Sequence, residues 1–201
     1  MTLRYDTRSR VSTYTRSWVS GIEPDFGVFD SIATTVVGAG GVSSVTFSSI
    51  PAGYKHLQLR GMAQTNRGTY GIDELGIRFN GDTASNYSAH MLYGTGASAL
   101  SLSVNTTYGY YGYGSFGTTT GSSWGGAVMD ILDYRDTNKF KTTRTLGGVD
   151  LNGTVGGLGG FVALVSSNWR STAAITSIDL FPLGGTTISQ YSHFALYGIK
   201  G

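Results

Sequence analysis

The chain has no cysteine among its 201 residues. Disulfides, thiolate metal sites and thiol nucleophiles are therefore excluded. Charge is scarce, with Asp, Glu, Lys and Arg at only 13%, about half the ordinary share. Lysine and glutamate are the usual surface residues of helices, so helix is disfavoured throughout. No apolar run approaches the roughly 18 residues of a membrane span, and the N-terminus lacks the apolar core of a secretory signal. These absences lead us to expect a soluble protein that stays where it is made or leaves without a signal peptide.

Glycine fills much of the space left by charge, with 31 residues, and apolar residues make up 40%. That is enough for one domain with a sizeable core. The net charge of +2 is not that of a nucleic-acid binder, but it is unevenly spread. Residues 1–20 hold four arginines against Asp6, a net +3, and the remainder is −1. We read residues 1–30 as an extended N-terminal arm that gains order on a partner. Arg4, Arg8, Arg10 and Arg16 interleave there with Tyr5, Tyr14 and Trp18. A disordered tail is the plain alternative; the aromatic residues favour an arm.

From residue 31 to 201 the pattern is β. Val45 and Phe47 alternate with polar residues, as do Leu57, Leu59 and Ala63, and the LGIRF of Leu75–Phe79. The AVMDILDY of Ala127–Tyr134 is apolar at six of eight positions, as a strand covered on both faces would be. Turn signals at 8–15-residue spacing predict a sandwich or barrel of about 8–10 antiparallel strands. Two segments depart from the pattern. Residues 94–126 hold the tyrosine-rich stretch, and Gly147–Gly160 is glycine at seven of fourteen positions, which we read as a long exposed loop.

Chemistry is sparse. His56, His90 and His193 fall on separate predicted strands without metal-ligand spacing. Ser88 and His90 share a strand face but lack a nucleophile elbow. The carboxylate pairs Asp73/Glu74 and Asp130/Asp133 do not converge if their members lie in strands; the second reads as polar residues bracketing a strand end. Asn80-Gly81-Asp82 reads as a hairpin turn, and the glycines of 156–160 have neither the lysine nor the helix of a phosphate loop. We expect no catalytic residue, no metal and no cofactor.

Four of 13 tyrosines fall between Tyr108 and Tyr113. Strand parity puts Tyr108, Tyr110 and Phe116 on one face, and Tyr111 and Tyr113 on the other. A sugar platform keeps its aromatic residues on one side, so this stretch, with Trp124, reads as a subunit seam in preference to a glycan contact.

An ordered series of motifs runs through the domain. It comprises IPAGYKHLQLR, FNGDTASNYSAH, ILDYRDTNKFKTTRTLGG, WRSTAAITSIDLF and FALYGIKG. The series resembles a group of tailed-bacteriophage virion proteins. It covers most of residues 31–201, weakly over 94–126 and not over the arm. The resemblance implies a jelly-roll-like β-sandwich on the particle surface, serving as a capsid decoration (cement) subunit, head fibre or tail-fibre domain, usually as a trimer. Such a protein assembles in the host cytoplasm. On this reading the arm residues Arg4, Tyr5, Arg8, Arg10, Tyr14, Arg16 and Trp18 grip the major capsid protein. A fibre domain that recognises host glycan is the alternative. Neither membrane nor nucleic acid is an expected partner.

Overall fold

The computed structural model describes residues 28–68, 71–115, 123–155 and 158–201. Twelve strands run through them: β1 (Phe29–Val36), β2 (Val45–Phe47), β3 (His56–Ala63), β4 (Asp73–Phe79), β5 (Tyr87–Gly94), β6 (Ala99–Thr106), β7 (Gly109–Ser115), β8 (Gly125–Leu132), β9 (Lys141–Val155), β10 (Leu158–Trp169), β11 (Ile178–Pro182) and β12 (His193–Ile199). All neighbouring strands pair antiparallel. An eight-stranded sheet has the order β1-β12-β3-β8-β9-β10-β5-β6, and a four-stranded sheet the order β2-β11-β4-β7. The fold is the all-β, jelly-roll-like sandwich expected, with more strands than the expected 8–10. The arm residues up to 27 lie outside the described residues; Phe29 and Asp30 already pair with Ile199 and Gly198 in β1.

Alternation does most of the folding. Leu57 and Leu59 on β3, Met129 and Ile131 on β8, and Phe194 and Leu196 on β12 point inward and are fully covered. From the small sheet, Ile77, Phe79, Ile178 and Leu180 meet them in one core. A second apolar cluster lies beneath β7, where Tyr110 packs with Ala89, Met91, Phe161, Ala163 and Val165.

Three segments differ from expectation. Within Gly147–Gly160, residues 147–155 and 158–160 are strand and not loop, paired antiparallel as parts of β9 and β10. Glycine serves close approach there: a Cβ on Gly148 would lie 2.7 Å from the Phe161 carbonyl oxygen. Residues 94–126 supply β6 and β7, with 116–122 outside the described residues. Asn80 and Gly81 do form a tight turn, with φ of 53° and 68° and an Asp82 N–H bond to the Phe79 carbonyl at 3.0 Å. That turn is not a hairpin, since it carries the chain from β4 in the small sheet to β5 in the large one.

The motif residues are spent on holding these crossings. The carboxylate of Asp82 accepts from the Ala84 N–H at 2.8 Å, the Asn86 amide at 3.0 Å and the Trp169 indole at 2.7 Å. The Asn80 side chain donates to the Ala174 carbonyl at 2.8 Å and accepts from the Thr176 and Ser177 N–H groups. Lys141 is fully buried, and its ammonium donates to the carbonyls of Asp136, Lys139 and Thr172 at 2.6, 3.1 and 3.1 Å. Burial pushes its pKa below the usual lysine value.

Candidate interaction face

The outer face of the large sheet carries what the core does not use. Cross-strand register lines up Arg60, Val128, Leu146, Leu164 and Leu92 on β3, β8, β9, β10 and β5. The next row reads Met62, Gly126, Gly148 and Val162. Val128, Leu146, Leu164, Leu92, Met62 and Val162 are 40–59% exposed. Single exposed apolar residues need no explanation, but a ladder of four on adjacent strands is a contiguous patch. The sequence reading of β8 as covered on both faces is corrected here. Met129 and Ile131 are buried, while Val128 and Leu132 on the other face lie open.

Polar groups border the ladder and satisfy one another. Asp130 accepts from the Gln58 amide at 2.8 Å and from the Arg144 guanidinium at 3.1 Å. Arg60 donates to Gln58 at 2.6 Å, and its guanidinium lies 5.3 Å from the Tyr197 ring centre and 5.8 Å from that of Phe29. Asp130 lies within β8 and Asp133 just past it, so the two bracket the strand end. A shallow groove of about 520 Å³ opens beside these residues, lined by Thr34, Arg60, Met62, Val128, Leu146 and His193 among others.

Tyr108, Tyr110 and Tyr111 do not reach that surface. A bulge in β7 sets Leu75 opposite Gly112 but Gly76 opposite Tyr110, leaving Tyr111 as the extra residue. Both members of the doublet therefore turn inward, and the parity expected for them fails. Tyr111 packs edge-on to Phe194 at 6.0 Å, and its hydroxyl donates to the Ala127 carbonyl at 3.1 Å. Tyr110 is buried in the second cluster, and Tyr108 is half-buried against Tyr110 and Phe181. Burial pushes the Tyr110 and Tyr111 hydroxyls far above the usual tyrosine range, with Tyr108 adding to the effect on Tyr110. Tyr110 and Tyr111 are enclosed by their own sandwich and present no ring to a neighbouring chain or a sugar. Tyr113 lies opposite Glu74 in β7, and Trp124 is half-buried just before β8. The arm residues Arg4, Tyr5, Arg8, Arg10, Tyr14, Arg16 and Trp18 lie outside the described residues.

The polar candidates disperse. Asp73 is fully buried and accepts from Thr65 at 2.7 Å, from the Glu74, Gly184 and Gly185 N–H groups, and from Arg67 at 3.4 Å. It pins the loop after β11 to the edge of β4. His90 bonds Ser103 at 3.1 Å, across to β6. His56 accepts the Asp133 N–H at 2.9 Å through Nδ1. Among the described residues no three His, Cys, Asp or Glu side chains group as a metal site.

One charged cluster remains at the strand ends, around a cleft of about 320 Å³ lined by Tyr54, Lys55, Asp133, Arg135 and Asp136. Asp133 pairs with Lys139 and with Lys55 at 3.0 Å. Hydrogen bonds from Lys139 and then Lys55 hold its carboxyl at about 2. Asp133, Asp136, Lys55 and Lys139 are thus already paired with one another.

Sequence reasoning missed the ladder residues. The signal was present, because β8 and the FVALV of β10 are apolar at both parities.

The structure defines a class at the level of fold: an all-β antiparallel sandwich whose large sheet carries an exposed apolar ladder. Neither a family model nor a curated protein matches the chain. Among solved structures it is similar to a GH43 glycoside hydrolase engineered for endo-xylanase and exo-arabinofuranosidase activity, at 9% identity and a TM-score of 0.36, over 83% of this chain and 36% of that one. It is also similar to full-length tailspike protein 2 from Escherichia coli O157:H7 bacteriophage CAB120, at 12% identity and a TM-score of 0.27, over 87% and 26%. A third is the CBM2 module of the evolved Dit of Lactobacillus casei BL23 phage J-1, at 12% identity and a TM-score of 0.18, over 79% and 69%. The chain spans about a third or less of the first two. At these TM-scores the likenesses carry no argument about what this chain binds or does.

Proposed function

We propose that the chain is a structural subunit of a bacteriophage particle, a capsid decoration protein that attaches to the major capsid protein through its N-terminal arm. The observation that carries this is the division of labour across the sheets. Asp73, Asp82, Asp130, Asp133 and Lys141 are committed to internal bonds, while an exposed feature of the large sheet is an apolar face suited to assembly. The motif series supports the particle context, and its residues Asn80, Asp82, Lys141 and Trp169 serve the fold. The arginines of the arm pair with shell carboxylates, and Tyr5, Tyr14 and Trp18 fill pockets between shell subunits. Ordering the arm costs conformational entropy that the buried area offsets.

Reconstruction of the phage particle, with the protein labelled by gold-bound antibody, tests the reading. Label over the head shell is expected. Label confined to the tail overturns it in favour of a fibre domain.

A further inference from the structure

We propose that the outer face of the eight-stranded sheet is covered by a second copy of this chain, packed face to face about a two-fold axis. The inference rests on reading this face as an assembly surface, but not on where in the particle the protein sits.

Three observations name the occupant. First, β8 and β10 have the composition of strands buried on both sides. Ala127, Met129 and Ile131 alternate with Val128 and Leu132, and Phe161, Ala163 and Val165 alternate with Val162 and Leu164. The sandwich covers only the first set in each. Second, the face is neutral and therefore compatible with itself. Arg60 and Arg144 are balanced by Asp130 and Asp150 around an uncharged centre. A two-fold contact sets a patch against its own copy, which a patch of one sign would resist. Third, the size fits. Eight strands at ~4.8 Å by about seven residues at ~3.3 Å give roughly 900 Å², near the ~800 Å² share per partner of a standard stable interface. Its apolar centre and polar margin match the usual anatomy of such contacts.

A sugar would find little here, since the ladder is aliphatic and its aromatic residues, Tyr197 and Phe29, stand at the margin beside Arg60. Glycine at 126 and 148 lowers the surface between Met62 and Val162, so that side chains of the facing sheet can settle between them. Two sheets stacked this way lie ~10 Å apart with strands roughly 30° from parallel.

Sedimentation equilibrium of the full chain reads the outcome directly. A mass of twice 21.3 kDa is expected at micromolar concentration. Leu146→Lys combined with Leu164→Lys, both at exposed positions, is expected to give the monomer mass with an unchanged far-ultraviolet spectrum. As a second measurement, Val128→Cys, Leu146→Cys and Leu164→Cys introduce the sole thiol of their chains. Mild oxidation is expected to cross-link at least one of them as a dimer, with Thr46→Cys on the opposite sheet as the silent control. A monomer at every concentration overturns the proposal. So does a trimer, or a dimer whose mass the double lysine variant leaves intact. Labelling on the particle is independent of these results, so failure here and failure of the decoration reading are separable.

Discussion

The indole N–H of Trp169 donates to the carboxylate of Asp82 at 2.7 Å across 87 residues of sequence. Phe79 and Tyr87 flank the indole at 5.6 and 6.4 Å, so the bond sits at the edge of an aromatic cluster that joins the two sheets. Burial works to raise the Asp82 pKa, yet bonds from Asn86, Trp169 and the Ala84 N–H together hold it below the ordinary value. Trp169→Phe keeps most of the ring and deletes the donor. A loss of about 2 kcal/mol in unfolding free energy is expected, as for a hydrogen bond to a charged group. Asp82→Ala should cost at least as much. The double variant should cost less than the sum, because the two share one bond. Urea titration of the three variants checks this, and strict additivity would contradict it.

Asp133 contributes to the acid limb of stability, beside Asp82. The Asp133 carboxyl is held at about 2, well below the usual aspartate value, by Lys139 and Lys55. A depressed folded-state pKa stabilises the fold above the unfolded value, and that contribution fades as pH falls from about 4 toward 2. Asp133 also has a φ of 46°, which asparagine tolerates. Asp133→Asn should therefore keep the turn while flattening the dependence of Tm on pH between 5 and 2. Thermal melts across that interval read the slope, and equal slopes for both proteins would sink the assignment.

The bulge in β7 depends on Gly112. Its φ is 145°, and an added Cβ would meet Ala127 Cβ and Thr145 Cγ2 at 3.2 Å each. Gly112→Ala is expected to lower stability by about 1–3 kcal/mol through backbone strain. Tyr111→Phe removes only the hydroxyl bond to Ala127 and should cost about 1 kcal/mol. Chemical denaturation measures both. Particle binding by the folded variants should match the wild type, whereas a seam or glycan role for Tyr111 would show as lost binding at unchanged stability.

Lys141 is the interior staple of the loop between β8 and β9. Lys141→Met keeps its apolar stem but leaves the carbonyls of Asp136, Lys139 and Thr172 without that donor. A loss of about 2–4 kcal/mol is expected from the orphaned acceptors. Amide hydrogen exchange should show residues 136–140 opening before the sheets. Uniform protection with unchanged stability would contradict the role.

Strands with clean alternation were legible in the sequence, because period 2 reports directly which residues face the core. Leu57 and Leu59, and Leu75 to Phe79, are examples. Glycine misled in two ways. In Gly147–Gly160 it signals flexibility by composition, yet Gly148 serves the close pairing of β9 with β10. At Gly112 it permits a bulge that turns both Tyr110 and Tyr111 inward, where strict alternation would put them on opposite faces. The apolar face was written in β8 and β10 but read as interior, since composition reports that a surface is covered without saying by what. Asp82 and Trp169 are far apart in sequence, so their bond was beyond local reading.

Attachment through the arm is the central claim, and a truncated chain tests it most directly. Every described strand begins at Phe29 or later, so deleting residues 1–25 removes none of them. The truncated protein should keep the circular dichroism and melting behaviour of the full chain, and should fail to co-sediment with heads that lack the native subunit. Normal occupancy by the truncated protein would contradict the account.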